Sequence, residues 1–88
     1  MIRRMPEPSR QKVYVDVLAM FHKDGRLIPV SFVWEDGRKY EIDRVMDITR
    51  AASLKAGGTG MRYTCNVCGH EAYLFLEENR WFMERKGE

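Results

Sequence analysis

The residues best suited to chemistry lie together at positions 65–70, CNVCGH. Two thiols separated by two residues on one tight turn can reach the same metal ion, so the pattern is half of a zinc knuckle. A structural zinc site needs four ligands, and the chain has no second Cys-x-x-Cys. The candidate ligands are Cys65, Cys68 and His70, completed by His22 or by a second chain sharing the ion. The favoured alternative is two ordinary cysteines and no cofactor.

The same two cysteines bear on the compartment of the protein. Small secreted chains are usually held by several disulfides, whereas free thiols are typical of a reducing cytosol. A redox-active pair is not favoured, because such thiols rely on a helix N-terminus and this pattern predicts a strand and a turn. Residues 1–11 lack the apolar centre of a secretory signal. We therefore expect a cytoplasmic protein with no membrane segment.

A glycine-rich stretch, KAGGTG at 55–60, is a second candidate site. Glycines can aim backbone N–H groups at an anion, and basic residues surround these glycines with no acidic residue between them. The stretch lacks the Gly-Lys-Ser/Thr ending of a nucleotide-binding P-loop. It is either a weak ligand site or a flexible connection across one end of a barrel. The candidate anion-binding residues are Arg50, Lys55, Gly57, Gly58, Gly60 and Arg62.

The aromatic residues suggest a third kind of site. Small β-barrels bind single-stranded nucleic acid by stacking bases on rings beside a basic groove. Most rings of this short chain are needed for a core, because alternation places Trp34 and Tyr40 in phase with apolar neighbours. Tyr63 and Tyr73, on facing strands, are predicted to form an exposed pair that contacts a partner.

The charge distribution weighs against general nucleic-acid binding. The net charge of +2 arises in residues 1–11, since basic and acidic residues are equal in number over the rest of the chain. A broad phosphate-binding surface shows a basic excess. Nucleic-acid binding through the lead-in and the 50–60 loop therefore remains an alternative that is not favoured.

Catalytic residues are not predicted. Glu41, Asp43 and Asp47 share one face of a strand, but paired carboxylates serve acid–base chemistry only where burial separates their pKa values. Their face is opposite the apolar residues of the strand, which predicts a solvated surface. Two histidines beside turns form neither a Ser–His–Asp nor a Cys–His arrangement. We do not expect an enzyme.

The elements that position these residues are strands. Six runs alternate apolar and polar residues, beginning with VYVDVLAMF at 13–21, and Asp-Gly pairs mark turns between the early runs. Pro29 indicates an edge or bulge in the second run, and a change of phase at Arg44 indicates a bulge in the third, 38–48. The fold prediction is all-β: an antiparallel meander of five to six strands curled into a barrel or roll.

The domain organisation follows from this pattern. Residues 1–11, rich in proline and charge, are predicted to be a disordered lead-in, and residues 12–86 a single β domain. The stretches WEDGRKYEIDRV and KAGGTG, within roughly 12–85, resemble a group of small uncharacterised bacterial proteins of Gram-positive type. No activity is assigned to that group, so the resemblance implies a compact cytoplasmic bacterial β domain and carries no site residue.

The functional expectation is a non-catalytic binding or interaction domain of the bacterial cytosol. Its partner is an unidentified protein or a second copy, which would associate through the edge that contains Pro29. The alternatives are a nucleic-acid-binding small β-barrel and a zinc-binding protein that uses the 65–70 turn. The order of the strands and the number of chains are left open at this level.

Overall fold

The computed structural model describes residues 10–50 and 60–86, and these ranges contain no helix. The all-β prediction is confirmed: seven antiparallel strands form one sheet that curls into a half-barrel. Nothing within the described ranges is a helix of the length and apolarity needed to cross a membrane. The strands are β1 (Arg10–Phe21), β2 (Leu27–Val33), β3 (Lys39–Glu41), β4 (Arg44–Arg50), β5 (Met61–Val67), β6 (His70–Glu77) and β7 (Arg80–Lys86).

The sheet order is β3-β2-β1-β7-β6-β5-β4, so the first and last strands of the chain are neighbours. β1 pairs with two strands along its length: residues 10–15 pair with β7, and residues 16–21 pair with β2. This division of one strand joins the N-terminal hairpin to the C-terminal strands. β3 and β4 adjoin in the chain but lie at opposite ends of the sheet.

The turn between β2 and β3 shows how the early hairpins are built. The Trp34 amide donates to the Arg38 carbonyl at 2.8 Å. Gly37 has a φ of 88°, a conformation that glycine adopts without steric cost. The Asp36 carboxylate accepts the Arg38 amide at 2.9 Å and stabilises the turn. The β1–β2 turn repeats this arrangement around Gly25, whose φ is 96°.

The prediction of one strand over residues 38–48 is wrong. Two strands occupy this range, β3 and β4, and Ile42 and Asp43 connect them. The Ile42 amide donates to the Val30 carbonyl of β2 at 2.9 Å, and the Asp43 amide donates to the Asn66 carbonyl of β5 at 2.8 Å. The chain thus crosses between the two ends of the sheet, which the curl brings close together. The change of phase near Arg44 marks this change of partner strand.

Two irregularities in pairing agree with the sequence pattern. The β1–β2 register shifts opposite Val30, beside Pro29, which confirms the bulge or edge expected there. The β4–β5 register shifts at Met46, two residues after Arg44, where the phase change predicts a bulge. Each bulge increases the local twist and contributes to the curl of the sheet.

The core lies on the concave face of the sheet. Its centre is made by side chains that alternate inward from β2, β5 and β6, with partly buried residues from every other strand packed around them. The predicted core residues Phe32 and Leu74 are at this centre, and Cys65 is 1% exposed beside them. The central residues are Phe32, Tyr63, Cys65, Val67 and Leu74.

The convex face carries a smaller aromatic layer. Phe75 and Phe82 stack with ring centroids 5.0 Å apart, and Tyr14 meets Phe82 edge-on at 5.7 Å. Phe82 is 1% exposed although it lies outside the concave core. The Lys12 ammonium lies 4.7 Å from the Phe82 ring centroid and 3.4 Å from the Glu77 carboxylate. This layer stabilises the junction between β1, β6 and β7.

The boundaries of the domain differ slightly from the prediction. β1 begins at Arg10, so the last two residues of the predicted lead-in belong to the sheet. Residues 1–9 of that lead-in and residues 51–59 of the predicted long loop lie outside the described residues.

Candidate functional site

A cavity of about 310 Å³ opens on the concave side of the half-barrel, between the β2–β3 hairpin and the β5–β6 turn. Its volume is at the lower end of the range found for small-molecule sites. The walls are almost wholly apolar, with two polar side chains at the rim, Cys68 and His70. We name this space the aromatic cavity. Its principal wall residues are Phe32, Trp34, Tyr40, Val67, Ala72 and Met83.

One wall of the aromatic cavity consists of rings from a single hairpin. Phe32 of β2 is the register partner of Tyr40 of β3, and their rings stack at 5.5 Å with an interplanar angle of 25°. Trp34 follows Phe32 at a spacing of two residues, so both side chains lie on the same side of the chain. The alternation that makes β2 half-buried therefore also aligns these rings into a wall.

The turn that carries Trp34 is connected to β7 by an ion pair. Arg85 of β7 donates to the Glu35 carboxylate at 2.8 Å, and both side chains are partly exposed. Met83, two residues before Arg85, lines the cavity. This ion pair thus connects the hairpin that carries the ring wall to β7. An exposed pair of this kind contributes about 0–1 kcal/mol.

The polar rim is positioned by the β5–β6 turn and the β3–β4 crossover. Cys68 has a φ of 53°, which brings the chain round tightly into β6. The Cys68 amide donates to the Asp43 carboxylate at 3.1 Å. Asp43 therefore has a structural role: it ties the turn to the crossover and places the Cys68 thiol and the His70 imidazole at the opening.

The floor of the aromatic cavity contains one small residue. Ala72 of β6 lies between larger side chains and is the register partner of Cys65. A residue with a longer side chain at this position would fill the space in front of Phe32 and Tyr40. The cavity is therefore a consequence of alanine on an inward-facing position of β6.

The predicted metal ligands are divided between core and surface. Cys65 faces the core, where its thiol donates to the Tyr63 carbonyl at 3.6 Å and burial raises the pKa of the thiol to about 11. Cys68 and His70 are exposed at the rim. His22 lies in the β1–β2 turn. Among the residues that the structure describes, no three His, Cys, Asp or Glu side chains form a group that could hold a metal ion.

The predicted anion-binding residues are only partly described. Lys55, Gly57 and Gly58 lie outside the described residues. Arg50 ends β4 as an exposed side chain, and Gly60 directly precedes β5. The Arg62 guanidinium lies 4.8 Å from the centroid of the Tyr73 ring, on the convex face. Arg62 is therefore engaged in a cation–π contact, away from the aromatic cavity.

The predicted exposed pair of Tyr63 and Tyr73 is not formed. In the register of β5 and β6, Tyr73 lies opposite Thr64, and Tyr63 lies opposite Leu74. The two rings are consequently on opposite faces of the sheet. Tyr63 is 4% exposed and donates its hydroxyl to the Leu27 carbonyl at 2.7 Å, whereas Tyr73 is 42% exposed.

The sequence pattern predicts that Trp34 and Tyr40 are core residues, and this describes only one of the two surfaces that their rings contact. Trp34 and Tyr40 do pack against the core, but their outer faces also line an opening. The signal available in the sequence was the cluster of three rings at Phe32, Trp34 and Tyr40 on one hairpin. These rings line an opening only because the small residue Ala72 faces them, and Ala72 lies on β6, 32 positions after Tyr40 in the sequence.

Comparison with known proteins does not assign the chain to a family. It matches no family model, and no curated protein and no solved structure is similar to it. The resemblance to small bacterial proteins therefore remains a prediction. A functional proposal for this protein rests on the geometry of its sites.

Proposed function

We propose that this protein is a non-catalytic binding module of the bacterial cytosol, and that the aromatic cavity is its ligand site. The observation that carries the proposal is the meeting of three rings with two polar side chains at one opening of about 310 Å³. Apolar walls with a few convergent polar groups are the usual character of small-molecule sites.

The cavity walls define the class of ligand. Stacked rings favour a flat, largely apolar molecule, because ring–ring contacts are most favourable in offset or edge-on arrangements. His70 at the rim offers one nitrogen donor or acceptor to a polar edge of the ligand. We therefore propose a small planar aromatic or heteroaromatic ligand whose polar edge faces His70.

The cysteines are consistent with a binding role in a reducing compartment. Both are free, and the raised pKa of Cys65 keeps that thiol protonated near neutral pH. A protonated, buried thiol is a poor nucleophile. This argues against a nucleophilic role for Cys65.

Binding of single-stranded nucleic acid is a second candidate, favoured by the convex face. Cations and rings alternate there, with Arg62 over Tyr73 and Arg80 4.3 Å from the centroid of Tyr14. Base stacking beside basic groups would use such a surface. The same face also carries Glu71 and Glu77, so a basic groove is interrupted, and we rank this candidate second.

The proposal is tested by titrating the protein with indole and following backbone amide shifts by NMR. We expect shifts confined to the hairpin of β2 and β3 and to residues 67–72. In Ala72→Leu, the leucine side chain fills the cavity floor, and we expect indole affinity to fall about tenfold, which corresponds to about 1.4 kcal/mol.

A matched pair of variants separates the cavity from other aromatic surfaces. Trp34→Ala removes a ring from the wall and should weaken indole binding, whereas Tyr73→Ala removes an exposed ring from the convex face and should not. Equal indole affinity in the parent, Ala72→Leu and Trp34→Ala proteins would refute the aromatic cavity as the site. An oligodeoxythymidylate added in low salt tests the second candidate.

A further inference from the structure

Among the described residues, the rings of the aromatic cavity have no cation over them, although other rings do. Within residues 10–50 and 60–86, every cation–π contact lies on the convex face, where lysine or arginine side chains cover rings of β1, β6 and β7. In the same ranges, no lysine or arginine lies over Phe32, Trp34 or Tyr40, and none lines the cavity. Ring faces attract cations, so these three rings offer an attraction that no described side chain uses.

Trp34 is the ring of this wall that is most available to a ligand. Phe32 and Tyr40 stack against each other with centroids 5.5 Å apart, so each covers part of the other. Trp34 takes part in none of the ring–ring or cation–π contacts of the described residues, and it is only partly buried. Tryptophan is the strongest cation–π partner among the aromatic side chains. A positively charged ligand would therefore gain most at Trp34.

A carboxylate beside the cavity lining also favours a cation. The Asp43 carboxylate accepts the amide of Cys68, a lining residue, at 3.1 Å. Asp43 is exposed, and no lysine or arginine in the part of the chain that the structure describes forms an ion pair with it. Arg44, the next residue, does not line the cavity, and Glu35 is already paired with Arg85. The charge of Asp43 therefore attracts a cationic ligand and opposes an anionic one.

The apolar walls determine which kind of cation fits the cavity. A primary ammonium group carries three N–H donors, and the only polar side chains in the lining are Cys68 and His70. Burying N–H donors among apolar walls without acceptors costs the hydrogen bonds that they make with water. A positively charged nitrogen that carries only carbon substituents has no donor to satisfy. The walls therefore favour a cation without N–H groups.

We propose that the ligand of the aromatic cavity is an N-alkylated heteroaromatic cation of the pyridinium or quinolinium class. Its positive ring lies against Trp34, and the charge of Asp43 adds to the attraction. This inference rests on the proposed function, because it specifies the charge of the planar ligand proposed for the same cavity. A molecule of this class combines the flat shape that stacked rings favour with a charge that exposes no N–H donor.

The test compares two probes of similar shape that differ in charge. These are 1-methylquinolinium, a permanent cation, and quinoline, which is neutral at pH 8. Each is titrated into the intact protein at constant ionic strength, and backbone amide shifts are followed by NMR. We expect 1-methylquinolinium to bind about tenfold more tightly than quinoline and to displace indole, with shifts confined to residues 32–40 and 67–72.

A second pair of probes tests the role of N–H donors. Benzyltrimethylammonium and benzylammonium carry the same charge on the same ring, but only benzylammonium has N–H groups. We expect benzyltrimethylammonium to bind more tightly, because its nitrogen loses no hydrogen bonds with water inside the apolar walls. Equal affinity would show that the charge is recognised at a solvated surface, and it would overturn the proposal.

Matched variants locate the attraction. The measured quantity is the preference, the ratio of the quinoline Kd to the 1-methylquinolinium Kd. Asp43→Asn keeps an oxygen that can accept the Cys68 amide but removes the charge, so the preference should fall about threefold. Asp47→Asn removes a carboxylate of β4 outside the cavity lining and should leave the parental preference. Trp34→Leu should bring the preference close to one, whereas Tyr73→Leu on the convex face should not change it.

The outcomes separate this inference from the proposed function, and the two probe pairs on the parent protein decide it without any variant. Binding of indole and quinoline in the cavity with no preference for 1-methylquinolinium would overturn the cationic ligand and leave a site for neutral aromatic molecules. Shifts from 1-methylquinolinium on the convex face, near Glu71 or Glu77, would also overturn it. Absence of cavity shifts with every probe up to millimolar concentration would overturn both proposals.

Discussion

At the scale of single residues, neighbouring inward positions of β5 determine much of the chemistry of this protein. Tyr63 and Cys65 both face the core, and burial raises the pKa of each group. The Tyr63 hydroxyl holds β2 through the Leu27 carbonyl, while the Cys65 thiol donates to the Tyr63 carbonyl. The alternation of MRYTCNV predicts that these positions share a face, but not that the shared face is the core.

The raised pKa values predict loss of stability in alkaline solution. Because the folded state keeps the Cys65 thiol protonated to about pH 11 from an ordinary value of 9.0, the unfolded state releases this proton first as the pH rises. The stabilisation is complete below about pH 9 and is lost as the pH approaches 11, with a magnitude on the order of 2 kcal/mol. The raised pKa of the Tyr63 hydroxyl also lowers the free energy of unfolding as the pH rises. Urea unfolding between pH 8 and pH 11 measures the effect.

The two cysteines provide a matched control for this experiment. Cys65→Ala should lower the free energy of unfolding at every pH but should make its decline above pH 9 shallower. Cys68→Ala, at the exposed thiol, should leave the decline as steep as in the parent. Parallel pH profiles for all three proteins would show that burial of Cys65 does not govern the alkaline limit.

At the scale of elements, the turns were predictable and the crossover was not. Asp36-Gly37 forms a tight hairpin turn, as the local sequence predicts. The sequence pattern predicts one strand with a bulge over residues 38–48. Periodicity indicates which side chains are buried, but it does not indicate which strand is the pairing partner. The partner changes from β2 to β5 at Ile42 and Asp43, and this change requires the curl of the whole sheet.

The β2–β3 turn allows a direct test of backbone conformation. At Gly37, an added methyl group would meet no atom within 4 Å, so the effect of Gly37→Ala comes from its φ of 88° alone. We expect a loss of about 1 kcal/mol, measured as a shift of the urea midpoint at constant m-value. Gly37→Asn should lose less, because asparagine tolerates positive φ better. Equal losses for the two variants would show that the turn does not require this conformation.

At the scale of the whole molecule, the pairing of β1 with β7 makes one sheet from two parts of the chain. Each strand at the centre of the sheet order has a neighbour on either side, although β6 and β7 pair over three residues only, whereas β3 and β4 are terminal. The aromatic layer of the convex face stabilises the same central junction, where Phe82 is almost fully buried. Resistance to local opening should therefore decrease from β7 toward both ends of the sheet.

Native-state hydrogen exchange measures this gradient. We expect the slowest amides in β6 and β7, intermediate rates in β5 and in the central part of β1, and the fastest exchange in β3, which has three residues. The variant Tyr63→Phe serves as a control. Loss of the hydroxyl should accelerate the amide hydrogen exchange of residues 27–30 without changing the exchange rates of β7. Protection of β3 amides equal to that of β7 would contradict the proposed order of stability.

The sequence alone determines the class of fold and its local geometry, because period-two alternation, Asp-Gly turns and the proline at position 29 act over a few residues. Tertiary structure decides the rest. The adjacency of β1 and β7, the opposite faces of Tyr63 and Tyr73, and the opening beside Ala72 each depend on which distant strand pairs with which, and in what register. A shift of one residue in register reverses the face of every side chain in a strand. The aromatic cavity belongs to this second category, since it is formed by residues that only the curl of the complete sheet brings together.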